Sequence, residues 1–125
     1  MTGTLLTGLL VGLGGGAGAA ARYALQRRLD ADRPWGVLVA NVVGSALLGV
    51  FSALALAGTL SAEGLALLGT GFCGGFTTYS TFAVGTHDLG ARRGWAYAAL
   101  TTGLSLAACA ACFALTGVAT GLPQA

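Results

Sequence analysis

Apolar residues fall into four long blocks separated by short polar breaks. The first block runs from about Thr4 to Leu29 and ends in a charged loop of Arg27, Arg28, Asp30, Asp32 and Arg33. Pro34 restarts the chain, and the second block runs from about Trp35 to Gly58. Ser61-Ala62-Glu63 opens the third, which ends around His87-Asp88; after Arg92-Arg93 the fourth runs from about Gly94 to Val118. A helix needs about 20 apolar residues to cross a bilayer. The pattern therefore predicts an all-α membrane protein with four transmembrane helices in one domain over residues 1–125. Ser61 is placed to cap the third helix, and Glu63 suits the positive end of its dipole.

The third block reads badly as one helix. Its centre is Gly71-Phe72-Cys73-Gly74-Gly75-Phe76-Thr77-Thr78-Tyr79-Ser80-Thr81-Phe82. Each of two adjacent glycines costs about 1 kcal/mol relative to Ala in a helix interior. The hydroxyl residues that follow compete for backbone hydrogen bonds. These features predict a third helix broken near its middle, between Gly74 and Thr78. Irregular backbone at membrane depth persists only where protein buries it or where it lines a wet cavity. Carbonyls freed there are hard oxygen donors suited to a small cation. Tyr79 and Phe82, three residues apart, share a helical face.

Two helices carry polar stripes. Asn41, Ser45 and Ser52 recur at offsets of four and seven on the second. Tyr97, Thr101 and Ser105 recur every fourth residue on the last, and Cys109 continues the row. An Asn amide in a span needs partners or water, and its NH2 is a strong neutral anion donor. Such stripes serve either helix–helix hydrogen bonding or a polar path for an ion. On the first helix, Gly8, Gly12, Gly16 and Ala20 form a ridge that lets another helix approach closely.

Composition removes several function classes. Charged residues are 8% of the chain, against about 25% in soluble domains. Nothing remains for a soluble catalytic domain, and no basic segment precedes the first block as in a cleaved signal peptide. A net charge of +2 confined to loops gives no nucleic-acid surface. Gly12–Gly18 lacks the Lys-Ser/Thr of a phosphate loop, and no strand precedes it. Cys109-Ala110-Ala111-Cys112 lies inside a span, which suits small buried side chains rather than redox work. A lone His87 makes no metal site. No general acid, base or nucleophile stands inside a span, so the chain is expected not to be an enzyme.

Gly74-Gly75-Phe76-Thr77-Thr78-Tyr79-Ser80-Thr81-Phe82 resembles the central signature of the Fluc (CrcB) family of fluoride channels. The family's first Phe is Tyr79 here, and Gly85 stands where many members carry Glu. Gly14-Gly15, Gly18-Ala19 and Arg22-Tyr23 resemble its first-span pattern, and Asn41-Val42-Val43-Gly44-Ser45 its second. Tyr97, Thr101 and Ser105 resemble its hydroxyl track. The resemblance implies a fluoride-specific channel that exports cytoplasmic fluoride down its gradient and so relieves fluoride toxicity. It places Asn41, Ser45, Tyr79, Phe82, Tyr97, Thr101 and Ser105 along the ion path. Arg22 is either an anion attractor at the pore mouth or a snorkelling anchor. The resemblance also implies an antiparallel dimer with a structural sodium ion at the interface, held by the carbonyls of Gly74 and Thr77.

All six Lys/Arg residues are arginines in or beside the first and third loops. The positive-inside rule puts those loops in the cytoplasm and both termini outside, in a multi-pass plasma-membrane protein. Such bias suggests a subunit that inserts one way and pairs with an inverted paralogue; an unbiased subunit would form a homodimer. A small four-span multidrug exporter is the rival in size, but its proton exchange needs a carboxylate inside the membrane. A non-transporting assembly subunit is the other alternative. It would explain the glycine ridge but not the aligned polar stripes.

Overall fold

The computed structural model describes residues 1–123. Gln124 and Ala125, the end of an expected frayed tail from Leu122, lie outside the described residues. Every described element is helical: α1 (Thr2–Leu29), α2 (Trp35–Leu56), α3 (Ala62–Gly64), a π-helix (Leu65–Cys73), α4 (Gly74–Phe76), α5 (Ser80–Asp88) and α6 (Gly90–Ala119). Three of them, α1, α2 and α6, are long and apolar enough to cross a membrane. The third apolar block is divided. Residues 62–76 form one helical run, residues 77–79 leave it, and α5 follows.

Local chemistry sets the boundaries. Asp30 Oδ1 accepts the Gly36 N–H at 2.6 Å, satisfying a donor in the first turn of α2, where Pro34 has none to offer. Gly58 follows α2 in the left-handed region (φ 73°), and Gly90 turns the chain from α5 into α6 at φ 74°. Ser61 Oγ accepts the Gly64 N–H at 3.1 Å, which is the expected cap. At the far end of α6, Gly121 adopts φ 74° and the Leu122 N–H reaches the Gly117 carbonyl at 2.8 Å. Leu122 is thus tied by a Schellman-type closure and is not frayed.

Glycines bring the helices together. A Cβ on Gly14 or Gly18 of α1 would strike the backbone of Leu67 or Phe72, and one on Gly75 would strike the Gly15 carbonyl. Here the structure corrects two expectations. The ridge of Gly8, Gly12 and Gly16 has nothing within 4 Å, and the register in use is Gly14 and Gly18. Gly74 and Gly75 remain helical; the break begins at Thr77, whose backbone is extended (φ −81°, ψ 158°). The Gly75 position therefore serves close approach between helices, and the hydroxyl residues carry the break.

α2 is the central helix, with 33% of its most apolar 18-residue stretch buried against 11% for α1 and 6% for α6. Val37, Ala40 and Ala53 on α2 are buried together with Cys73, Phe76 and Tyr97. Leu5, Leu9, Leu13, Leu106 and Leu115 are exposed, as in a surface that faces lipid.

Candidate ion path and cation ligands

The interruption at Thr77–Tyr79 is held from α2. Asn41 Oδ1 accepts the Thr78 N–H at 2.8 Å, and Asn41 Nδ2 donates to the Thr78 carbonyl at 3.0 Å. Both backbone groups of a non-helical residue are thereby satisfied without water. The Thr78 hydroxyl continues the network to Thr81 Oγ1 (3.2 Å), lies 3.4 Å from Ser80 Oγ, and accepts the Thr81 N–H at 3.3 Å, capping α5. Thr77 Oγ1 donates back to the Cys73 carbonyl at 2.9 Å.

Around this break lies a groove of about 640 Å³, open along one side. Asn41, Ser45, Gly74, Thr77, Tyr79, Phe82, Thr101 and Ser105 all line it. The structure thus gathers most of the residues singled out in the sequence onto one surface. Tyr97 stands beside it, its ring 5.8 Å from Phe82, while its hydroxyl donates to the Pro34 carbonyl at 3.3 Å. Tyr79 and Phe82 are 6.1 Å apart, and Tyr79 is 81% exposed on the open side. Arg22 is elsewhere: its Nε donates to the Gly75 carbonyl at 3.2 Å, tying α1 to the end of the helical run.

Two atoms in the groove stand apart chemically. Among the described residues Thr101 Oγ1 and Ser105 Oγ are buried with no partner at hydrogen-bond geometry, although Thr101 lies beside the Tyr97 hydroxyl. Leaving a buried hydroxyl unsatisfied costs about 1–3 kcal/mol, so such an atom calls for an explanation. Helix hydroxyls commonly bond back to a carbonyl one turn earlier, as Thr86 does to Phe82. Thr101 and Ser105 make no such bond, and a small rotation of either side chain would turn its hydroxyl toward the groove that the residue lines. Asn41 likewise uses one amide proton on Thr78 and keeps the other.

The carbonyls of Gly74 and Thr77 accept no hydrogen bond among the described residues, because the Thr78 N–H that would return to Gly74 goes to Asn41. A Cβ on Gly74 would meet nothing within 4 Å, so that backbone lies open. Unbonded neutral carbonyls fit a small hard cation. No cluster of His, Cys, Asp or Glu able to hold a metal occurs among the described residues. Sequence reading missed Thr78 as the centre of the network. Its place beside Thr77 in a doubled threonine was the available signal.

A family model described as CrcB-like protein, Camphor Resistance (CrcB), matches residues 9–118. A fluoride-specific ion channel FluC of Sorangium cellulosum is 42% identical over 104 residues, 79% of this chain and 82% of the relative. A fluoride-specific ion channel FluC 2 of Rhodococcus jostii is 51% identical over 81 residues, 63% of this chain and 68% of the relative. A fluoride-specific ion channel FluC 1 of Symbiobacterium thermophilum is 40% identical over 111 residues, 80% of this chain and 89% of the relative.

Proposed function

The chain belongs to the CrcB-like family, and from that premise we propose that it is a fluoride-specific ion channel that lets cytoplasmic fluoride leave down its electrochemical gradient. The observation that carries this reading is the pair of buried hydroxyls, without partners among the described residues, on Thr101 and Ser105, two residues that line the groove. Fluoride is small and strongly hydrated, so a path for it must replace water's donors. These two hydroxyls, the free amide proton of Asn41 and the hydroxyl of Ser45 supply neutral donors along one wall. Phe82 and Tyr79 can present positive ring edges. Neutral donors that rotate release an anion as readily as they take it, which suits conduction over storage.

The groove needs a second wall. We assign it to another four-crossing subunit in antiparallel orientation, with the interrupted residues 62–88 forming the third crossing. In such a pair the Gly74 and Thr77 carbonyls would hold a structural sodium ion at the interface, two from each subunit. The ion would supply positive charge where helical hydrogen bonding is lost.

The arginines lie only in and beside the first and third loops, which in a four-crossing subunit would share one side; that bias favours one-way insertion with those loops in the cytoplasm. The partner would then be an inverted paralogue, and the numbered names of the Rhodococcus and Symbiobacterium relatives fit paired paralogues. Tyr79 and Gly85 depart from the family signature as a subunit with a complementary partner could. Fluoride efflux from liposomes carrying the purified protein, alone and with a paralogue, tests the reading. Efflux in either case supports it, and absence in both overturns it.

A further inference from the structure

A second cavity, of about 210 Å³, lies between the start of α2 and the first turns of α6 and shares no lining residue with the groove. Its body is formed by Pro34, Trp35, Leu89 and Leu100, and Arg33 and Arg93 stand on its rim. The one hydroxyl that reaches it, that of Tyr97, is spent on the Pro34 carbonyl. Pro34 itself has no N–H. A bare halide or free phosphate entering the body would lose water and gain no donor.

The rim differs. Arg33 and Arg93 are exposed, and neither pairs with a carboxylate among the described residues, where the one ion pair is His87–Asp88. Trp35 is 45% exposed beside them at the start of the apolar helix α2, and indole rings favour the level between tails and headgroups. An apolar body under a cationic rim complements an amphiphile with an anionic head. We propose that this cleft seats an anionic phospholipid, its phosphate forked by Arg33 and Arg93 and its first methylenes against Trp35 and Leu100. The site rests on the membrane placement and is independent of which ion the groove conducts. Its inner wall is Tyr97, whose other side packs on Phe82 of the groove.

Native mass spectrometry of the full chain in detergent, with phosphatidylglycerol or phosphatidylcholine added, tests this. Phosphatidylglycerol should be retained at one per subunit, and neither phosphatidylcholine nor millimolar inorganic phosphate should displace it. Arg33→Gln with Arg93→Gln should lower retention by roughly thirtyfold, while Arg28→Gln with Arg92→Gln, an equal charge loss away from the cleft, should change it less than about threefold. Ala96→Trp, which fills the cleft without altering charge, should also abolish retention. Equal losses in the two double variants would reduce the effect to diffuse charge and overturn the site. Displacement by inorganic phosphate alone would overturn it in favour of a soluble anion. Should Ala96→Trp fail to fold, the comparison of the two arginine pairs still decides.

Discussion

Asn41 grips Thr78 by both backbone groups, accepting its N–H at 2.8 Å and donating to its carbonyl at 3.0 Å. One side chain on α2 thus replaces the helical hydrogen bonds that residue 78 lacks. The same clamp diverts the Thr78 N–H from Gly74, leaving that carbonyl open. The two consequences, a stable break and a freed oxygen, come from one amide.

Asn41→Asp separates the clamp's two halves. A carboxylate still accepts from the Thr78 N–H but cannot donate to the carbonyl, and it sets negative charge beside the groove. The expected loss is about 1–3 kcal/mol of stability and at least roughly tenfold in fluoride efflux. Thermal unfolding in detergent and fluoride-electrode recordings on liposomes measure the two. Unchanged efflux would remove Asn41 from the ion path.

The glycines of α1 divide into two classes that look alike in sequence. Gly18→Ala drives a methyl into the Phe72 carbonyl, and Gly75→Ala drives one into Gly15. Each should cost about 1–3 kcal/mol, because backbone cannot yield as a side-chain tip can. Gly12→Ala meets nothing within 4 Å and should gain up to about 1 kcal/mol of helix propensity. Melting temperatures of the three variants check the split. A loss at Gly12 would instead place a second chain on that face.

Why that split escaped the sequence is physical. Gly8, Gly12 and Gly16 recur every fourth residue, and so do Gly14 and Gly18. Periodicity cannot choose between the two registers; the partner surface at Gly71, Phe72 and Gly75 does. The doubled glycine read as helix weakness because propensity is local, whereas Gly75 is used for contact with α1. The three long apolar helices, the Ser61 cap and the hydroxyl stripes were legible, since each is written in a run of neighbouring residues. The π-helical Leu65–Cys73 has no comparable local signal. The Arg33–Arg93 cleft had none either, because it joins distant loops.

The open carbonyls of Gly74 and Thr77 give the sodium proposal a measurement independent of transport. A cation bound only by the assembled protein raises stability with the logarithm of its concentration, about 1.4 kcal/mol per tenfold above its dissociation constant. The melting temperature should climb with sodium and stay flat with N-methylglucamine. Thr77→Ser should leave the response intact, since the proposed ligand is the carbonyl and the serine hydroxyl can keep the bond to Cys73. Equal melting in both salts would dismiss the ion.

Thr101→Val and Ser105→Ala set stability against conduction. In an ordinary core, deleting a hydroxyl removes a bond and destabilises. Here both oxygens are buried without partners, so their removal should be neutral or raise stability by up to about 1–3 kcal/mol, the desolvation cost of an unsatisfied group. If the groove carries fluoride, the same changes strip donors from a dehydrated anion, and efflux should fall by roughly tenfold for each. Opposite signs in the two assays are the signature of atoms retained for a passing ion. A fall in both would mean that Thr101 and Ser105 bond to a neighbouring helix in the assembled protein, and the path would have to be sought along another face of α6.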